Sequence, residues 1–120
     1  MKKKLLILIL CFLFSSVSWG ESFISPIGFQ NTDENRRKVI SFIVTNVKET
    51  YSAIGMDDPA TLRMMEKEEL RCFKELTKVK DESFLRRVIR DYCAIGMCNY
   101  STILMMYHEQ KKASNSELEW

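Results

Sequence analysis

The stretch Tyr51-Ser52-Ala53-Ile54-Gly55-Met56 returns as Tyr92-Cys93-Ala94-Ile95-Gly96-Met97, an offset of 41 residues (92 − 51). At the same offset Thr61, Met64, Met65 and Glu68 fall on Thr102, Met105, Met106 and Glu109. Between Tyr51 and Glu69 nine of 19 pairs are identical, where ordinary composition gives roughly one. A chain that repeats itself in this way is assembled from copies of one supersecondary unit, which then limits the folds open to it.

The character of that unit follows from its periodicity. Ile40, Ile43, Val44, Val47, Tyr51 and Ile54 recur at three- and four-residue steps, the pattern of one apolar helical stripe. Gly55 stands just past its end, where a residue with positive φ closes a helix most easily. Asp58 and Pro59 then announce a second helix, a capping acid followed by a proline at the first helical position. Its predicted buried face is Leu62, Met65, Cys72, Phe73 and Leu76, while Arg63, Glu66, Lys67, Glu68, Arg71, Lys74 and Glu75 make a mixed-charge outer face of the kind that is ordinarily solvated. The unit is thus an αα-hairpin.

In the second copy Asp81 is placed to cap a helix that buries Phe84, Leu85, Val88, Ile89 and Tyr92, and Gly96 ends it as Gly55 ends the first. Ser101 is expected to cap the fourth helix, with Ile103, Leu104, Met106 and Tyr107 as its apolar surface to about Lys112. Neither hairpin can bury its stripe alone. The predicted fold is therefore all-α, a small four-helix arrangement built from two duplicated αα-hairpins spanning 33–78 and 81–112. Residues 21–32 contain Pro26 and Gly28 and read as an extended lead-in, yet Phe23, Ile24, Ile27 and Phe29 are too apolar for a free tail and are expected to pack on the helices. Residues 113–120 are expected to fray.

The chain opens with Lys2-Lys3-Lys4, ten apolar residues from Leu5 to Phe14, and small residues Ser18 and Gly20 before Glu21. This is the pattern of a secretory signal peptide over 1–20, and ten apolar residues are too few to cross a hydrocarbon core of about 30 Å as a helix. The expected location is periplasmic or secreted, with no membrane association once the signal is cut. Removal takes three of the 18 Lys and Arg and none of the 16 Asp and Glu, so the net charge becomes 15 − 16 = −1. A chain so nearly balanced offers no basic face for nucleic acid.

Cys72, Cys93 and Cys98 survive processing. An odd number in an oxidising compartment implies one bridge and one spare thiol. Antiparallel helices about Val79 to Asp81 would leave Cys72 and Cys93 roughly 8 Å apart along the axis, too far for a bridge, so the expected disulfide is Cys93–Cys98, with Cys72 reduced and buried. It takes the place in the second turn that Asp58-Pro59 holds in the first.

No catalytic, cofactor or metal constellation emerges. His108 is the single histidine, and a capped helix start separates it from Cys98. Asp57 with Asp58 and Glu68 with Glu69 are adjacent acids without a cleft to mark them. Met97, Cys98, Met105, Met106 and His108 are soft ligands that would suit copper, but Met64 and Met65 repeat the methionine pair with no His or Cys nearby, which favours packing. A small exported domain without assembled chemistry works through its surface. The expected function is therefore a protein-binding module and not an enzyme: a periplasmic inhibitor or an immunity protein acting on an exported enzyme, with a second copy of the chain as a further possible partner. Arg86, Arg87, Tyr100 and Trp120 are the candidate contacts, since aromatic and Arg side chains dominate such interfaces. A periplasmic chaperone or stress protein is the alternative, which would expose apolar surface under mild acid, and a small hydrolase is a third.

Overall fold

The structure is a computed structural model that describes residues 22–120. The expected signal peptide and its cut at Glu21 lie outside the described residues. Four helices follow in order: α1, Asp33–Ser52; α2, Pro59–Leu76; α3, Glu82–Ala94; and α4, Tyr100–Ser114. Each begins at a polar side chain that takes up a free backbone N–H of the first turn: Thr32 accepts from the Asn35 N–H, Asp58 from Thr61, Asp81 from Phe84 and Asn99 from Thr102. The fourth cap is thus Asn99 and not Ser101, whose hydroxyl instead donates to Asn99 Oδ1 at 3.0 Å. Asn99 matches Asp58 across the repeat, and both serve a threonine that the two copies share. α4 runs two residues beyond Lys112, with Lys111 and Lys112 in the last turn, where the helix dipole favours cations.

The two turns between paired helices are alike bond for bond. Met56 N–H donates to Tyr51 O at 2.8 Å and Gly55 N–H to Ser52 O at 3.1 Å, while Met97 N–H donates to Tyr92 O at 2.9 Å and Gly96 N–H to Cys93 O at 3.2 Å. This pair of bonds defines a Schellman motif, which requires positive φ at the residue after the helix. Gly55 has φ 74° and Gly96 φ 79°.

α1 packs on α2 and α3 on α4, the two hairpins expected, and the hairpins meet through α2 and α4. The spatial order is α1, α2, α4, α3, so each hairpin offers its second helix to the other. The core runs through this layer: Val39, Phe42, Ile43 and Val47 from α1; Leu62, Cys72, Phe73 and Leu76 from α2; Leu85 and Val88 from α3; Tyr100, Ile103 and Tyr107 from α4. Residues 23–29 close one end of it. Pro26 is fully buried, Phe23 packs edge-on against Phe42 with centroids 5.6 Å apart, and Phe29 packs edge-on against Phe73 at 4.9 Å. The lead-in packs as the apolar content of its sequence demands.

Candidate protein-binding surface

α1 is an edge helix whose backbone lies against α2 alone, so only part of its apolar circumference is covered. The sequence places Ile40, Val44 and Ile54 in the buried stripe; the structure exposes all three and buries Val39 and Phe42 instead. The cause is geometric. α1 has apolar residues over more than half its circumference, and α2 together with residues 23–29 fills one side only.

What the uncovered side presents is ordered. Arg37, Ile40, Val44 and Lys48 fall within about 80° of arc over about 16 Å of helix. Ile40 is 49% and Val44 36% exposed, and both cations are exposed as well. Their neighbours Arg36 and Lys38 pair with Asp33 and Glu34, at 3.6 Å each; no carboxylate pairs with Arg37 or Lys48 among the described residues. Single exposed apolar residues are ordinary on any protein. Two β-branched residues on an exposed helix face are less so, because they lower helix propensity without a packing return.

The other candidate contacts separate. Arg86 and Arg87 are exposed on α3, at the opposite edge of the layer, with the Arg87 guanidinium 5.0 Å from the Phe84 ring centroid. Trp120 is fully exposed beyond the end of α4. Tyr100 is not a surface residue at all: it is 0% exposed and packs against Phe23, Phe42 and Phe73 with centroids 5.3, 5.6 and 4.9 Å away. Its hydroxyl donates to Ile24 O at 2.7 Å, and burial pushes the phenol well above its usual range. The ring is buried because α4 begins against the middle of α2, where the repeat-equivalent Pro59 begins α2 in solvent.

Glu69 was the least visible of the structural residues. It is a buried acid on α2, accepting from Tyr100 N–H at 2.7 Å and from Ser101 N–H at 3.2 Å. A carboxylate at a helix N-terminus meets both free N–H groups and the positive end of the dipole. The sequence did hold a signal, since Glu69 falls inside the stripe Leu62, Met65, Cys72, Phe73, Leu76.

The described cysteines and Asp81 have structural roles. Cys93 and Cys98 form the disulfide, which removes the thiolate that a soft metal would take from the Met97 to His108 cluster. Cys72 is free and buried, and burial pushes its thiol up to about 11, so it is protonated at neutral pH and a poor nucleophile. Asp81 is held below the usual carboxylate range by its bond from Lys111. Among the described residues no group of three or more His, Cys, Asp and Glu stands where it would hold a metal ion, and no described helix is long and apolar enough to cross a membrane. Comparison of the chain with protein-family models, curated proteins and solved structures finds no match.

Proposed function

We propose that this is an exported protein-binding module, a periplasmic inhibitor or immunity protein that acts by covering part of an exported enzyme. The outer face of α1 carries the reading. Two exposed β-branched residues between two unpaired cations make an apolar centre with a charged rim, the composition of a specific contact. The surface that fits it has an apolar patch flanked by carboxylates about 16 Å apart, the distance from Arg37 to Lys48 along α1. This face belongs to one copy of the repeat only, since Arg37, Ile40, Val44 and Lys48 fall on Lys78, Asp81, Leu85 and Ile89 in the other. A feature that occurs once in a duplicated chain suits a single foreign partner. A disulfide between Cys93 and Cys98 is compatible with the oxidising compartment that such a role requires.

The test uses the exported protein as bait against a periplasmic extract of its own source, in parallel with Ile40→Glu and Lys48→Glu variants. A partner held by the parent, lost from both variants and weakened by salt is the expected result. A partner held equally by all three, or none held by the parent, overturns the assignment of this face.

A further inference from the structure

Between Tyr51 and Glu69 the residues that the two copies share lie on or near the surface, while Val47 and Val88, just before that stretch, are identical and buried in both copies. Of the nine identical pairs between Tyr51 and Glu69, none is buried in either copy, and six are exposed in both: Ala53 and Ala94, Ile54 and Ile95, Gly55 and Gly96, Met56 and Met97, Met64 and Met105, Glu68 and Glu109. The exposures themselves agree pair by pair, 63% and 66% for the isoleucines, 47% and 43% for Met56 and Met97, and 58% and 56% for Met64 and Met105. Several buried positions diverge: Cys72 and Phe73 fall on Ala113 and Ser114, and Glu69 falls on Gln110.

The hairpin explains some of these identities and not others. The Schellman turn requires the glycines and has a use for an apolar residue at Met56 and Met97. It has none for Ile54 and Ile95, nor for Met64 and Met105, which stand six residues, about 9 Å, into their helices from the caps. Large apolar side chains kept in solvent at matching places, twice in one chain, mark a contact that is made twice.

The two tips are at different levels of the molecule. The second turn leads into Tyr100 and Ser101, which sit on Glu69, eleven residues or about 16 Å along α2 from Asp58. Each tip offers on the order of 300 Å² of apolar surface, no more than an ordinary monomer carries. Four tips, two from each of two chains, offer about 1,200 Å², the lower bound of a stable interface.

We propose that the chain forms a homodimer in which the first tip of each copy packs on the second tip of the other. A single two-fold axis that pairs first tip with second tip engages all four at once, and such an assembly closes. Methionine suits such a contact, being flexible enough to fit against its own kind, and Glu68 and Glu109 fall at its hydrated rim. The dimer contact uses none of Arg37, Ile40, Val44 and Lys48, so the dimer and the foreign partner are tested by different substitutions.

Sedimentation velocity on the exported protein over a concentration series to about 100 µM tests the proposal. The parent is expected to dimerise, with Ile54→Glu and Ile95→Glu each weakening the dimer at least tenfold, and Ile40→Glu leaving it unchanged. Unaltered far-UV circular dichroism shows that the variants fold, and Met64→Gln with Met105→Gln gives a second, milder disruption. A monomeric parent, a dimer indifferent to either isoleucine, or a ladder of larger species from tips pairing in an open chain overturns it.

Discussion

The turn from Tyr51 to Thr61 and the turn from Tyr92 to Thr102 make the same backbone bonds and are secured by different means. The first has Asp58 and Pro59, a cap and a pre-set φ, and it stands in solvent. The second has no proline; a disulfide spans it, the Glu69 carboxylate holds the start of the following helix, and the Tyr100 ring anchors that helix in the core. The comparison teaches that a hairpin copied within one chain can keep its turn while its supports are exchanged. The first copy is stabilised by local sequence, the second by what it touches.

This difference is testable position by position. Tyr100→Ala removes a buried ring and is expected to destabilise the fold by about 3–5 kcal/mol, whereas Pro59→Ala, at the matching exposed position, should stay within about 0.5 kcal/mol; urea denaturation of both reads the contrast, and equal losses would erase it. Glu69→Ala leaves the buried Tyr100 N–H without its acceptor, for an expected loss of about 2–3 kcal/mol and faster amide exchange at Tyr100 and Ser101. Gln110→Ala, its counterpart, should change neither.

Replacing Cys93 and Cys98 by Ser opens a loop of six residues and is expected to lower stability by about 2 kcal/mol, matched by the parent in reductant. A smaller loss would mean that Glu69 and Tyr100 hold the second turn by themselves. The smallest effect should also be the most even: Gly55→Val and Gly96→Val each force a β-branched residue to positive φ at about 1 kcal/mol or somewhat more. Nothing lies within 4 Å of a Cβ at either position, so backbone strain alone sets the loss. Thermal melts that differ clearly between the two would show that the turns are not equivalent.

Local signals were readable wherever the sequence itself does the work. Gly55, Gly96 and Pro59 fix turns through their own backbones, Asp58 and Asp81 cap through side chains that reach only three residues along the chain, and the five-residue separation of Cys93 and Cys98 spans one turn. Apart from the fourth cap, which is Asn99 and not Ser101, the failures are matters of which neighbour arrives. Ile40 and Val44 obey the period of a buried stripe, but no helix backbone comes to their side of α1. Tyr100 gives no local sign of burial because its position in the first copy is exposed. Glu69 is legible only as an acid in an apolar stripe, and its purpose appears when α4 is set beside it. The candidate surface on α1 was hidden for the same reason: periodicity gives the width of an apolar stripe but not how much of it a partner covers.

The bond from the Tyr100 hydroxyl to Ile24 joins residues 76 apart in the chain. A polypeptide is made from its N-terminal end, and domains complete their folding only when all their parts are present. Residues 23–29 are therefore made with no α4 to receive them, and they wait through most of the chain's synthesis before Tyr100 arrives. Such late, long-range closure is slow relative to the formation of either hairpin. For that interval Phe23, Ile24 and Phe29 are the apolar surface in need of protection, and the last helix to emerge is the one that ends their exposure.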